Sequence, residues 1–193
     1  MVPTRFGNAL QDTSSVEDLF KAVNSDEIVV KPVVSANADD TYRLRKDSSK
    51  EMLVRVVEAF KEKEYMAQPF MKSVVDEGEF SLFYFADVYS HTILKVPAKD
   101  DFRVQEEHGG VITAVTPDAD LLAASKLLLA KLPGKSPLYA RLDFVRMPDN
   151  SYAVMEVELI EPSLYFNYDP LSAGKFAQAF ADRYGTGPVS STE

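Results

Sequence analysis

The sequence contains no cysteine and only two histidines, His91 and His108. Disulfides, thiolate catalysis, cysteine–zinc sites and iron–sulfur clusters therefore lie outside its chemistry. Two histidines are too few for a histidine cage, which leaves hard, oxygen-liganded ions such as magnesium as the open metal class. No apolar run reaches the roughly 18 residues a membrane span needs. The first eleven residues hold no hydrophobic stretch of signal-peptide type, so cytoplasmic residence is the expectation. Positive charge is also scarce: 21 Lys and Arg stand against 30 Asp and Glu, a net charge of −9. Nucleic acid and anionic membranes are not expected partners, because both require clustered cations. A nucleotide remains compatible, since it needs only a few placed cations and a metal ion.

The 193 residues, 46% of them apolar, suffice for one domain or one domain of two lobes with a real core. Ser14 and Glu17 resemble a capping box opening a helix through about residue 23. The β-branched run 27–34 predicts a strand, a polar loop 35–40 follows, and 41–45 predicts a second strand. Ser48 and Glu51 suggest another capping box, opening a helix to about residue 63 with Leu53, Val56, Val57 and Phe60 on one face. Residues 65–71 predict a strand, and 80–85 with 88–96 a hairpin around Ala86-Asp87. Pro117 behind Thr116 marks a helix start, and that helix stops at Pro133-Gly134. Residues 138–147 and 152–160 predict a second hairpin, and 171–183 a last helix. The polar stretch 184–193 is expected to be a disordered tail. Hairpins segregated from helices give an α+β class.

The second hairpin carries the strongest chemical signal. Alternation puts Arg141, Asp143 and Val145 on one face of its first strand and Glu156 and Glu158 on one face of its second. A two-residue turn at Asp149-Asn150, or a four-residue loop over 148–151, sets Asp143 opposite Glu156 and Arg141 opposite Glu158. Opposed residues have Cβ atoms roughly 4.5–5.5 Å apart. Three carboxylates gathered there need neutralising, and a divalent cation would do it. A solvated face with a simple Arg141–Glu158 ion pair is the alternative.

Taken in order, these segments resemble the ATP-grasp superfamily, over about residues 2–168. The similarity is to the branch that includes glutathione synthetase, ribosomal-protein glutamate ligases and the ligase closing D-cycloserine. Ala140-Arg141-Leu142-Asp143 with Met155-Glu156-Val157-Glu158 is similar to the family's metal-binding strands. Glu158 stands where an Asn is usual. Val29-Val30-Lys31-Pro32 resembles the strand whose lysine reaches the phosphates, although a surface strand lysine reads the same way locally. Tyr65-Met66-Ala67-Gln68-Pro69-Phe70-Met71 resembles the inter-lobe hinge that grips adenine, or else an ordinary buried strand. Gly78-Glu79-Phe80-Ser81 is similar to the start of the next family strand. Phe102-Arg103-Val104-Gln105 and His108-Gly109-Gly110 resemble the loop facing the γ-phosphate and acceptor. The loop Ser35-Ala36-Asn37-Ala38-Asp39-Asp40-Thr41 departs from the pattern: it has no glycine where many members carry a glycine-rich flap.

The resemblance implies two α+β lobes with antiparallel sheets gripping ATP, the smaller over about 1–70 and the larger over about 71–183. It implies Mg²⁺ on Asp143, Glu156 and Glu158. It further implies nucleotide contacts from Lys31, Ser35, Gln68, Pro69 and Phe70, and charge stabilisation by Arg103 and Arg141. The implied reaction is carbon–nitrogen ligation: ATP converts a small-molecule carboxylate to an acyl phosphate, and an amine or similar nucleophile attacks it. Family members carry an N-terminal domain upstream of the segment resembled, which is expected to be missing here. A homo-oligomer stays open as a partner. The rivals are a nucleotide-binding module without ligase activity of its own and an acidic interaction domain without nucleotide.

Overall fold

The computed structural model describes residues 1–35, 38–99, 101–104 and 106–185, residue 107 by its backbone. The chain forms two compact units: residues 1–76 with 97–110, and residues 77–96 with 111–193. The expected boundary near residue 70 compares with one after Asp76. Residues 97–110, assigned to the larger lobe from sequence, cluster with the first unit. The tail expectation falls outside the described residues beyond Gly185.

The first unit is a four-stranded antiparallel sheet in the order β1-β4-β2-β3. Its elements are β1 (Arg5–Gly7), α1 (Thr13–Ala22), β2 (Glu27–Pro32), β3 (Tyr42–Arg45), α2 (Lys50–Phe60), β4 (Tyr65–Pro69) and the short α3 (Lys72–Asp76). Ile28, Val30, Leu44 and Ala67 point to one face, where they meet Val16, Leu19 and Phe20 of α1 and Leu53, Val56 and Phe60 of α2. Alternation therefore turns Val29, Lys31, Met66 and Gln68 to the opposite face. The helix starts differ from the expected capping boxes. Asp12 caps α1 by accepting from Ser15 N at 2.9 Å, and Ser49 caps α2 by accepting from Met52 N at 3.3 Å. Each side-chain oxygen satisfies one of the backbone donors that a helix start leaves free.

The second unit is a five-stranded antiparallel sheet in the order β7-β6-β5-β8-β9. It comprises β5 (Glu79–Phe85), β6 (Val88–Val96), β7 (Val111–Ala114), α4 (Ala119–Leu129), β8 (Tyr139–Arg146), β9 (Tyr152–Glu158) and α5 (Ser172–Tyr184). One face presents Phe80, Leu82, Tyr84, Ala140, Leu142 and Phe144 to Leu121 of α4. The other presents Phe83, Ile93 and Ile112 to Leu164, Tyr165 and Tyr168 of the segment after β9. Asp118 caps α4, one residue beyond the expected Pro117 start, and accepts from Leu121 N at 2.8 Å. Gly78 enters β5 with φ +118°, and a Cβ there would lie 2.8 Å from both the Lys95 carbonyl oxygen and Leu94 Cδ1. Only glycine fits that turn without moving β6.

Candidate active site

Each hairpin of the second unit places its charges through a β-bulge. In β8–β9 the ladder next to the turn pairs Arg146 with Tyr152 and Phe144 with Val154. Continued unchanged, it would set Asp143 against Met155. One extra residue in β9 restores the opposition of Asp143 to Glu156 and of Arg141 to Glu158. The expected pairing at the site is thus present, while the turn reasoning behind it was one residue off. In β5–β6 the turn pairs Phe85 with Val88 and Tyr84 with Tyr89, and the shift beyond Tyr84 brings Glu79 opposite Lys95. A bulge inserts one residue and re-aims the side chains that follow.

The resulting cluster lies on the sheet face opposite α4. Carboxylate oxygens of Asp143, Glu156 and Glu158 lie within 4.8 Å of one another. Asp143 is fully buried, Glu158 partly so, and Glu156 exposed. Two cations interleave with the acids. Arg141 donates from Nη2 to Asp143 Oδ2 at 3.1 Å and from Nε to Oδ1 at 3.3 Å, and it also contacts Glu158. Lys95 Nζ lies 2.6 Å from Glu79 Oε1 and 3.3 Å from Asp143 Oδ2. Burial alone would raise the Asp143 pKa, but Lys95 and Arg141 together overcome it and hold the carboxyl below its ordinary value. Burial likewise opposes charge on Lys95, yet Asp143 and Glu79 keep its pKa raised. Burial pushes Glu158 up, and Asp143 and Glu156 add to that push against Arg141. Glu79 is raised mainly by burial, with Lys95 opposing. The Ser81 hydroxyl, fully buried opposite Asp143, helps lower the pKa of that carboxylate, but makes no hydrogen bond of good geometry among the described residues.

Fully ionised, four carboxylates (Glu79, Asp143, Glu156, Glu158) against two cations (Lys95, Arg141) leave a net charge of −2. One divalent cation would balance it. An all-oxygen donor set fits magnesium better than a softer ion.

In the first unit Lys31 sits on β2 opposite Met66, half-buried, with no ion-pair partner among the described residues. Gln68 is buried, and its amide donates to Thr4 Oγ1 at 2.9 Å. Pro69 pairs with Ile28 at the end of β4. The Arg43 guanidinium covers the Phe70 ring at 3.6 Å, and Phe102 meets that ring edge-on at 6.2 Å. Arg103, next to Phe102, is held in a two-point pair by Asp101 (Nε to Oδ1 3.1 Å, Nη2 to Oδ2 2.8 Å). Those hydrogen bonds drive the Asp101 carboxyl far below its usual range. Ser35 donates to the Asp39 carbonyl at 3.1 Å, and Asp40 pairs with Lys63 at 2.7 Å. In the glycine-free loop, Ala38 and Asp40 take positive φ values of 57° and 50°. Residues 36, 37 and 105 lie outside the described residues.

Sequence reasoning missed Lys95 and the charge role of Glu79. Period-2 alternation from Glu79 through Ser81 and Phe83 would have put Glu79 on the acid-bearing face, but only the bulge reveals Lys95 as its partner.

No family model matches the chain. The cycloserine biosynthesis protein DcsG of Streptomyces lavendulae is 35% identical over 170 residues, covering 81% of this chain and 55% of that protein. The crystal structure of D-cycloserine synthetase DcsG matches with a TM-score of 0.78 at 29% identity, over 95% of this chain and 65% of that one. The chain belongs to the ATP-grasp superfamily. Its likeness to DcsG puts it with the D-cycloserine-ligase-like branch. Two more ATP-grasp neighbours share the fold at lower identity. The ATP-grasp ligase PsnB, in complex with a precursor variant, Mg and ADP, has a TM-score of 0.58 at 19% identity, over 93% of this chain and 53% of that one. D-alanine–D-alanine ligase from Bacillus anthracis has a TM-score of 0.64 at 17% identity, over 94% and 61%. The chain spans about half the length, 55%, of the curated relative it matches. Among the described residues no helix is long and apolar enough to cross a membrane.

Proposed function

We propose that this chain is the nucleotide-binding and catalytic part of an Mg²⁺- and ATP-dependent carboxylate ligase that forms a carbon–nitrogen bond. The observation that carries the reading is the cluster of three carboxylates within 4.8 Å, which together with Glu79 sets four negative charges against two buried cations. Asp143, Glu156 and Glu158 would hold the metal. The bound ion supplies charge neutralisation for phosphate oxygens during transfer.

Lys31 would offer its ammonium to the ATP phosphates. That no ion-pair partner meets it among the described residues supports this role, since no such anion has to be displaced. Phe70, gripped by Arg43 and Phe102, is a rigid apolar platform for a base, and the β4 end over Gln68 and Pro69 would present backbone to the adenine edge. Arg141 stands among the acids with donors already aimed at carboxylates, so it would steady negative charge as an acyl phosphate forms. Arg103 would do the same only after exchanging Asp101 for a substrate anion. No side-chain nucleophile is needed, in keeping with the absence of cysteine. The substrates are a small-molecule carboxylate and an amine or similar nucleophile. Because the chain spans only about half of its curated relative, we further propose that substrate binding is completed by residues of a longer protein.

The test is ADP release from ATP in the presence of candidate acids and amines, measured on this chain and on an upstream-extended version. Turnover dependent on acid, amine and Mg²⁺ supports the reading. A folded, extended protein that binds neither ATP nor Mg²⁺ overturns it.

A further inference from the structure

The acid cluster contains a feature that metal binding alone does not require. Asp143 has two carboxylate oxygens, and the one called Oδ2 receives both Lys95 Nζ, at 3.3 Å, and Arg141 Nη2, at 3.1 Å. Arg141 Nε also reaches Oδ2, at 3.2 Å, so three N–H donors from two cations crowd one oxygen. Among the described residues the other oxygen, Oδ1, receives one bond, 3.3 Å from the same Arg141 Nε, which it shares with Oδ2. Lys95 cannot drift from this place, because Glu79 anchors it at 2.6 Å and both side chains are buried. The bulge in β5–β6 puts that anchor opposite Lys95.

We propose that Lys95, anchored by Glu79, acts with Arg141 to restrict Asp143 to one-oxygen ligation and so selects magnesium over calcium. This rests on the reading of Asp143, Glu156 and Glu158 as metal ligands. Magnesium takes single carboxylate oxygens in a strict octahedron, whereas calcium favours two-oxygen carboxylates and higher coordination. With Oδ2 blocked, Asp143 serves the smaller ion and denies the larger one its bidentate mode. Lys95 and Glu79 are positioning residues here, acting on the ion through Asp143.

The experiment is a competition of Mg²⁺ and Ca²⁺ against Mn²⁺, with free Mn²⁺ read by electron paramagnetic resonance. The proteins are wild type, Lys95→Arg, and the double variant Glu79→Gln/Lys95→Met, which removes one charge of each sign at near-constant volume. Circular dichroism first establishes that each variant is folded. The double variant should lose at least tenfold in its Mg²⁺-over-Ca²⁺ preference while still binding Mn²⁺. Lys95→Arg, which keeps a cationic donor on Oδ2, should stay near the wild-type ratio. A folded double variant that keeps the wild-type ratio overturns the selectivity role and leaves the metal site standing. Absence of Mn²⁺ binding by wild type removes the metal site itself, and this inference with it.

Discussion

Replacing Lys95 by Met tests the charge network by the stability of the second unit. Lys95 is 5% exposed, Asp143 is fully buried and Glu79 is 9% exposed, so solvent screens none of these charges appreciably. Met fills the aliphatic volume of the lysine stem, which keeps the packing loss small. Two carboxylates lose a cation, at 2.6 Å and 3.3 Å. Asp143 keeps Arg141, but Glu79 keeps no ion-pair partner among the described residues. Breaking a buried pair from one side costs about 3–5 kcal/mol. Partial relief comes if Glu79 takes up a proton, which its raised pKa favours, so about 3 kcal/mol is the working figure at neutral pH. With a urea slope of about 2 kcal/mol/M, the unfolding midpoint falls by about 1.5 M. Adding Glu79→Gln to Lys95→Met removes the stranded anion and should recover more than half of the loss. Urea unfolding followed by far-ultraviolet circular dichroism is the assay. A Lys95→Met midpoint within about 0.3 M of wild type, or a double variant less stable than the single, would refute the network.

Further outcomes follow from other parts of the molecule. Lys31→Ala should weaken ATP binding by about 1–3 kcal/mol in calorimetry, the scale of one charge-assisted contact, and unchanged affinity in a folded variant removes Lys31 from the site. Leu142→Ala, at a fully buried position among Leu82, Phe80 and Leu121, should cost about 2–5 kcal/mol in the same urea assay; a loss below about 1 kcal/mol would mean that this core is not tightly packed. His91, stacked on Phe83 at 4.3 Å, has its pKa lowered from 6.5 chiefly by burial. Its contribution is complete above pH 6.5 and declines as pH falls toward the lower folded value, because only the unfolded chain takes up the proton. Thermal unfolding between pH 7 and about 5 should show this slope, and His91→Phe should flatten it; an equal slope in both proteins assigns it to other groups.

Much of this was legible because periodicity is local. The faces of α2, β8 and β9 follow from alternating or helical spacing, and the cores of both units use residues so marked. Short elements escaped. β1 has three residues and β7 four, too few to show a period, and each exists by pairing with a distant strand. Helix starts were misplaced by one or two residues because Asp12 and Ser49 compete with nearby serines as cap acceptors in sequence but not in space. At the site, Asp143, Glu156 and Glu158 were found by alternation, whereas Lys95 was hidden by the extra residue near Ser90. No spacing rule reads a bulge before the ladder is seen. The Asp101 grip on Arg103 was likewise invisible, since adjacency of acid and base in a loop does not say which way the chain folds.

The central claim, that these acids hold a magnesium ion serving ATP, meets its most direct test in calorimetric titration of ATP with excess Mg²⁺ and with chelator, on wild type and on Glu158→Gln. Glu158 is the choice because it is partly exposed and leaves the buried Asp143–Lys95 pair intact. The account predicts tight binding only for wild type with Mg²⁺, strongly weakened binding with chelator, and loss of most of the Mg²⁺ dependence in Glu158→Gln. Equal ATP affinity with Mg²⁺ and with chelator in the wild-type protein would contradict it.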